Sequence, residues 1–151
     1  MVAELIIAVE PWATARPGVM NLWPLLAEEA VQSERTPLPE GDRALYDGAA
    51  ATDGLICVTA RKERVVGFWL AFLAYHPHHR GHLSCAADLV FIHPEHRGGM
   101  TAARMFRALR DEARGRGASV FYANSPVGRD LGPLFRRFGL APVETQFSVW
   151  F

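Results

Sequence analysis

The amino-acid sequence predicts a single α/β (α+β) domain over residues 1–151, with a mixed central sheet of about six or seven strands and three to four helices. Two observations lead to this fold class. The chain has 151 residues and 50% apolar composition, which is enough for one well-filled core but short for two domains. The predicted order is strand, helix, three strands, helix, strand, helix and strand, and one strand–helix–strand unit in it requires two parallel strands.

The first third of the chain predicts a strand, a helix and a long connection. The run ELIIAVE is typical of a strand that Pro11 closes. NLWPLLAEEAVQ predicts a helix with Asn21 as its N-cap and Pro24 in its first turn. Residues 33–54 are polar and rich in Pro and Gly, so we expect a mobile connection with room for one helical turn.

The rest of the chain predicts four further strands, two helices and a closing strand. LICVTAR, VVGFWLAFLAYH and LSCAADLVFIH are β-rich, with turns at RKER and HPHHRGH. Residues 101–116 place apolar side chains on one helical face and arginines on the other, and Gly115 or Gly117 ends this helix. ASVFYANS predicts a strand, RDLGPLFRRFG a short helix that ends at Gly139, and APVETQFSVWF a final strand with alternating apolar residues.

Composition disfavours several classes of protein. Lys plus Arg and Asp plus Glu each number 16, and this zero net charge argues against a nucleic-acid partner. Cys57 and Cys85 lie in separate apolar segments, which favours buried reduced thiols over a disulfide or a metal knuckle. No apolar run reaches the roughly 20 residues of a membrane span, and the N-terminal residues lack a signal-peptide pattern. We therefore expect a cytoplasmic protein that does not enter membranes.

The stretch FIHPEHRGGMTAARMF joins the end of a strand to the start of a helix. A helix that begins directly after a strand leaves several backbone N–H groups without partners, and these donors with the helix dipole favour an anion. Gly98 and Gly99 allow close approach to the backbone, and Arg97 adds a charged fork of donors. The stretch is suited to a diphosphate, although a tight structural connection would give the same pattern.

The segment VFIHPEHRGGMTAARMF resembles the acyl-CoA signature of the GNAT superfamily of N-acetyltransferases. In that signature an apolar strand ending in Val-x-Pro precedes Arg-Gly-x-Gly-x-Gly/Ala and an amphipathic helix. The predicted order of elements is similar to that fold over nearly the whole chain. HPHHRGHL, DLVFIHPEHRGG and RDLGPLFRRFGL also resemble a small group of GNAT-like proteins often encoded by bacteriophages, which would place the chain in the host cytoplasm.

The resemblance implies an enzyme that moves an acetyl group from acetyl-CoA to a primary amine of a small molecule or protein, by direct transfer in a ternary complex. It also implies a sheet that splays between the fourth and fifth strands. The residues it places against the coenzyme are Val90, Phe91, Ile92, Arg97, Gly98, Gly99, Met100, Thr101, Ala102, Asn124 and Phe135. Two of these depart from the family pattern. Met100 stands where a Gly is usual, and Phe135 stands where many members carry the tyrosine that protonates the departing thiolate.

An alkylamine acceptor would need a base, because an ammonium group with a pKa near ~10 has no free lone pair at neutral pH. Asp88 is the first candidate. It lies two and four residues before Val90 and Ile92, so we expect it on their face of the strand unless a bulge intervenes. A structural aspartate bonded to a loop is the alternative interpretation. His93 is a further candidate for proton transfer, and Ser125 is a candidate acid.

All six histidines lie between His76 and His96. Their spacing matches no established zinc pattern, so no metal is expected, and a metal-dependent site on the histidine cluster is the weaker alternative. We expect His76 and His78 beside the acceptor pocket, together with Trp23 and Tyr46, and we assign the other aromatic residues to the core.

A second hypothesis is a catalytically weak or inactive GNAT-fold module that binds a host or phage protein. Met100 and Phe135 favour it, because both replace residues that the family uses with the coenzyme. Either hypothesis allows for a homodimer.

Overall fold

The computed structural model describes residues 3–30, 36–37 and 40–151. Within them, five strands form one sheet, and four α-helices lie on its faces. The strands are β1 (Ile6–Val9), β2 (Leu55–Arg61), β3 (Val65–Tyr75), β4 (Leu83–Ile92) and β5 (Ala118–Tyr122). The helices are α1 (Trp12–Glu29), α2 (Arg43–Ala51), α3 (Thr101–Gly115) and α4 (Gly132–Arg137), and a 3₁₀ turn (Pro94–His96) follows β4.

The sheet is mixed, with the strand order β1-β2-β3-β4-β5. All neighbouring strands are antiparallel except β4 and β5, which run parallel and are connected through α3. This confirms the predicted strand–helix–strand unit. Strand β5 pairs with β4 only along residues 83–86. Beyond that point the two strands have no ladder between them, which confirms the predicted splay of the sheet.

Two apolar cores lie on opposite faces of this sheet. On one face α3 and α4 pack through Phe106, Leu109 and Phe135 against β2, β3 and β4. On the other face α1 and α2 pack through residues such as Trp23 and Tyr46 against β2, β3 and β4. Cys57 and Cys85 are buried free thiols, as predicted. Within the described ranges, no helix has both the length and the apolar character needed to cross a membrane.

The predicted count of six or seven strands is too high. Residues 141–151, predicted as a strand, have no secondary structure and are exposed throughout. A strand needs a neighbour to accept its hydrogen bonds, and this segment has no partner among the described residues. The described sheet therefore ends at β5.

The first helix is longer than predicted. It begins at Trp12 rather than near residue 21, with Pro17 and Pro24 both inside it. An interior proline costs a helix about 3 kcal/mol. The apolar face of α1 continues through both prolines, with Trp12, Val19 and Leu26 buried against the sheet, and this burial outweighs that cost. The predicted last residues of this helix, 31 and 32, lie outside the described residues.

The connection predicted over residues 33–54 contains a nine-residue helix, α2, rather than one turn. Asp42 caps it, because its side chain accepts a hydrogen bond from the backbone N–H of Leu45. Tyr46 is buried against the sheet, and this contact holds a short helix that would be unstable alone. Residues 33–35 and 38–39 of the predicted connection lie outside the described residues.

Candidate functional site

The second half of β4 has hydrogen-bonding groups on its open side. The His93 N–H donates to the Val66 carbonyl at 2.8 Å, so these two residues form a hydrogen-bonded pair of the antiparallel ladder. Such pairs alternate with pairs that are not hydrogen-bonded, and the N–H and C=O of Val90 and Ile92 therefore point away from β3. Phe91 lies between them, pairs with Phe68, and has a buried side chain. Of the three residues predicted to line pantetheine, two therefore present backbone to the splay.

The turn that follows β4 leaves its backbone accessible. Gly98 and Gly99 have φ angles of 138° and 56°, a region that favours glycine, and a Cβ atom added at either would meet nothing within 4 Å. No side chain caps the start of α3. The Met100 side chain is 52% exposed, so it does not fill the turn. The first amides of a 15-residue helix thus open onto a turn with free space.

Arg97 is held by protein groups at this turn. Its Nε donates to the Ile92 carbonyl at 2.6 Å, and its guanidinium pairs with Glu29 at 2.5 Å and lies over the Phe91 ring. Glu29 also pairs with Arg129, from the loop between β5 and α4, at 2.8 Å. A single carboxylate from α1 thus holds two arginines, and the two hydrogen bonds lower the pKa of Glu29 although partial burial opposes them.

Asp88 lies in a β-bulge. Leu70 pairs with Leu89 and Ala71 with Ala87, so Asp88 is the extra residue of β4. The bulge reverses the alternation, and Asp88 lies on the α2 face, where its Oδ2 accepts a hydrogen bond from the Tyr46 hydroxyl at 3.3 Å. The bulge that the sequence analysis allowed for therefore intervenes, and Asp88 does not share a face with Val90 and Ile92, which pack on the α3 face.

The surroundings of Asp88 change its acid–base properties. Loss of hydration raises the pKa of its carboxyl, although the hydrogen bond from Tyr46 opposes the rise. The Asp88 side chain nevertheless keeps contact with solvent. Burial and the nearby Asp88 charge raise the pKa of the Tyr46 hydroxyl, so this group stays a hydrogen-bond donor. The arrangement is a carboxylate that is accessible and readily protonated.

Tyr122 is a candidate residue that the sequence prediction assigned to the core. It is the last residue of β5 to pair with β4, opposite Ala86, and its hydroxyl lies 2.9 Å from Nε2 of His76. The backbone N–H of His78 donates to Nδ1 of His76 at 3.0 Å, which places the proton of a neutral ring on Nε2. His76 therefore donates to Tyr122, and the hydroxyl proton of Tyr122 remains available to another acceptor.

The surroundings of His76 favour its neutral form. Partial desolvation and the neighbouring His79, His78 and His82 lower the pKa of His76.

Ala86 lies between Phe72 of β3 and Tyr122 of β5, two residues before Asp88. The small side chain of Ala86 is exposed, so it leaves space between the Tyr122 and Asp88 positions. The spacing in HPHHRGH gave no signal for the contact between His76 and Tyr122, because the two residues are 46 positions apart in the sequence.

The remaining predicted site residues have mainly structural contacts. Ser125 Oγ donates to Asp130 and accepts from the Leu131 N–H, so it orders the loop before α4. Phe135 is 7% exposed and packs against Phe106 in the core. Asn124, by contrast, is exposed where the chain leaves β5.

Trp23 and the residues around His93 lie elsewhere. Trp23 is buried against Phe68 rather than lining an open pocket. His93, Glu95 and His96 bring their ligand atoms within 4.8 Å of one another, a group that the spacing of the histidines did not single out. His93 Nδ1 in this group accepts from the Glu95 N–H.

Comparison with known proteins agrees with this architecture. Residues 5–139 match the model of the acetyltransferase (GNAT) family. No curated protein sequence matches the chain. The fold is similar to glucosamine-6-phosphate N-acetyltransferase from Arabidopsis thaliana, with a TM-score of 0.73 and 15% identity over 98% of this chain and 99% of that one.

Two further solved structures share the fold. A ribosomal-protein-alanine N-acetyltransferase from Brucella melitensis biovar Abortus 2308 gives a TM-score of 0.71 and 21% identity, covering 98% of this chain and 99% of that one. A predicted acetyltransferase from Clostridium acetobutylicum, solved with acetyl-CoA, gives 0.74 and 13% identity, covering 97% and 96%. At these identities the likeness concerns the fold alone.

Proposed function

This chain belongs to the acetyltransferase (GNAT) family, and we propose that it moves an acetyl group from acetyl-CoA to a primary amine of a small molecule or protein. The observation that carries the proposal is the open half of β4, which is followed by the glycine turn and the uncapped start of α3. A strand with free backbone groups suits the amide-containing pantetheine arm. The turn at Gly98 and Gly99 suits the diphosphate.

The coenzyme contacts follow from these groups. Val90 and the N–H of Ile92 hydrogen-bond pantetheine, and the amides of residues 98–102 bind the diphosphate. Arg97 adds a charged contact once phosphate oxygens replace Glu29 on its guanidinium. A backbone N–H of β4 next to the thioester oxygen stabilises the oxyanion that develops during acyl transfer.

Asp88 is the proposed base. The carboxylate removes one proton from the ammonium group of the acceptor, and the amine nitrogen then attacks the thioester carbon. The second proton, which the nitrogen loses as the amide forms, passes to solvent. Because loss of hydration raises its pKa, Asp88 is a stronger base than an ordinary aspartate. Tyr46 holds the carboxylate by donating its hydroxyl proton to Oδ2.

Tyr122 is the proposed acid. When the carbon–sulfur bond breaks, the bonding pair stays on sulfur, and the thiolate takes the hydroxyl proton of Tyr122. His76 donates from Nε2 to the oxygen left behind, and solvent returns the proton. Tyr122 would thus replace the hydroxyl that Phe135 lacks.

Ligand binding tests the proposal most directly. Acetyl-CoA should raise the melting temperature of the protein, and Gly98→Glu should remove this shift because a carboxylate would occupy the anion site. Gly115→Glu, at the other end of α3, is the matched control and should keep the shift. Absence of binding by calorimetry at millimolar acetyl-CoA would contradict the proposal.

Turnover separates the enzyme from a binding module. Buried Phe135 favours the module, because it brings no hydroxyl to the coenzyme. Release of free thiol from acetyl-CoA should be measured with a broad panel of amines. Tight coenzyme binding without thiol release in any member of the panel would support the module.

A further inference from the structure

One carboxylate joins three elements at the open end of the splay. Glu29, the last residue of α1, pairs through Oε1 with Arg97 at 2.5 Å and through Oε2 with Arg129 at 2.8 Å. Arg97 follows β4 and Arg129 follows β5, and because these strands are parallel, both arginines come from the same end of the sheet. Glu29 therefore links the two sides of the opening that the pantetheine arm is proposed to enter.

The helix that carries Glu29 does not account for a carboxylate at this position. The carboxyl end of a helix has a partial negative charge, which favours cations and disfavours anions. The last turn of α1 contains no basic residue, and Glu28 places another carboxylate directly before Glu29. The favourable contacts of Glu29 are therefore those with Arg97 and Arg129.

The two arginines are arranged for an anion that has several oxygen atoms. The Arg97 guanidinium is fixed by the bond from its Nε to the Ile92 carbonyl, and its Nη2 donates to Glu29. Since Arg97 and Arg129 reach the two oxygens of one carboxylate, they also reach the oxygens of one diphosphate, which is larger and carries more charge. The side chains of Arg97, Arg129 and Glu29 are 31%, 44% and 33% exposed, so a ligand can approach them from solvent.

We infer that Glu29 occupies the place of the coenzyme's diphosphate between Arg97 and Arg129, and that the coenzyme displaces it to bind both arginines. The inference rests on the proposed function. It adds Arg129 to the diphosphate site and makes Glu29 an internal competitor of the coenzyme. Glu29 and the diphosphate are both anions, so they repel each other and do not share the two guanidinium groups. Glu29 therefore lowers the affinity for a donor that carries a diphosphate and leaves a donor without one unaffected.

The affinities for two acetyl donors test this competition. S-acetylpantetheine has the thioester arm of acetyl-CoA but no diphosphate, and ligand-observed NMR measures its weaker binding beside calorimetry with acetyl-CoA. Glu29→Gln should raise the affinity for acetyl-CoA about 2- to 30-fold, the range expected when two exposed ion pairs no longer have to be broken. The affinity for S-acetylpantetheine should stay at the wild-type value. Glu28→Gln removes the same charge from an exposed neighbour and should change neither affinity.

Arg129→Gln, introduced into the Glu29→Gln protein, tests whether Arg129 binds the diphosphate. The affinity for acetyl-CoA should fall about 2- to 5-fold, because one exposed charge contact is lost and no competitor remains. Arg114→Gln in the same background removes an exposed arginine near the far end of α3 and should have no such effect. All substituted side chains are exposed or partly exposed, so each variant should fold with an unchanged circular dichroism spectrum.

Three results would overturn the inference. An affinity of Glu29→Gln for acetyl-CoA at or below the wild-type value would make Glu29 a structural link that holds Arg97 ready. An equal gain for S-acetylpantetheine would show that Glu29 acts away from the diphosphate. An unchanged affinity on replacing Arg129 would remove that residue from the site. In all three cases the protein still binds acetyl-CoA and the proposed function stands, whereas absence of binding in the wild type and every variant overturns both.

Discussion

The two halves of β4 differ in how their backbone is used. Residues 83–86 pair with β3 on one side and β5 on the other, whereas residues 87–92, apart from the bulged Asp88, pair with β3 alone. The doubly paired half has its hydrogen bonds satisfied by the sheet and contributes the fully buried Cys85 to the core. The open half contains the Asp88 bulge and leads into the glycine turn. The proposed chemistry therefore lies in the part of the sheet where β4 does not pair with β5.

Replacing Asp88 tests the open half with the largest expected effect. Asp88→Asn should lower the acetyl-transfer rate about 100-fold or more, because the acceptor amine loses its base. The melting temperature should not fall, since the raised pKa shows that the protein disfavours the ionised form. Steady-state rates and thermal unfolding measure the two effects. Glu95→Gln, which removes an exposed carboxylate, should change neither.

The pH dependence of the same reaction adds a second check on Asp88. A base must be ionised, so activity should fall as the pH drops through the pKa of Asp88. Because that pKa is raised, the fall should occur at higher pH than for an ordinary aspartate. A variant Asp88→Asn that kept the wild-type acid limb would exclude this residue as the base.

Cys85 tests the paired half, where we expect an effect on stability rather than chemistry. Cys85→Leu should destabilise the fold by about 1–3 kcal/mol, because extra atoms must enter a filled core. For a chain of this size, that lowers the melting temperature by roughly 2–4 °C per kcal/mol. At temperatures where the variant is folded, its affinity for acetyl-CoA should be unchanged. Weakened binding by the folded variant would show that the two halves are not separate.

The contrast between the halves explains what the sequence could predict. The glycine turn and the start of α3 are local features, and the consecutive residues Arg97, Gly98 and Gly99 indicate both. The order of β2, β3, β4, α3 and β5 likewise follows from apolar periodicity within each segment. These parts of the fold and of the site were therefore predictable.

The parts that were missed depend on distant contacts. A bulge at Asp88 leaves no mark in the β4 sequence, because it is fixed by the register against β3. The α2 helix depends on the burial of Tyr46, and the continuous α1 helix depends on tertiary packing that overrides two prolines. Tyr122 acquires its hydrogen bond from a histidine 46 residues earlier. Single-sequence patterns do not contain such pairings.

Tyr122 lies at the junction between the two halves of β4, and replacing it tests the boundary between them. Tyr122→Phe should lower kcat about 10-fold or more, because the thiolate loses its proton donor, and should leave the KM for acetyl-CoA unchanged. His76→Ala should lower kcat less, since it removes only the group that orients the hydroxyl. Tyr75→Phe is the control, because Tyr75 is 76% exposed. An increase in KM without a change in kcat would assign Tyr122 to binding instead.

The smallest effect is expected at the opposite edge of the sheet, where side-chain hydrogen bonds add to the pairing of β1 with β2. Glu10 accepts hydrogen bonds from Arg61 at 2.9 Å and from Thr59 at 2.8 Å, and the Arg61 hydrogen bond above all lowers its pKa. A lowered carboxyl pKa stabilises the fold above the unfolded value near ~4.3, and this stability is lost as the pH falls through the folded value. Glu10→Gln should therefore cost about 1 kcal/mol at pH 7 by urea denaturation, and the difference from wild type should shrink below about pH 4. A difference that stayed constant with pH would show that the ion pair contributes nothing and that shape alone matters at this edge.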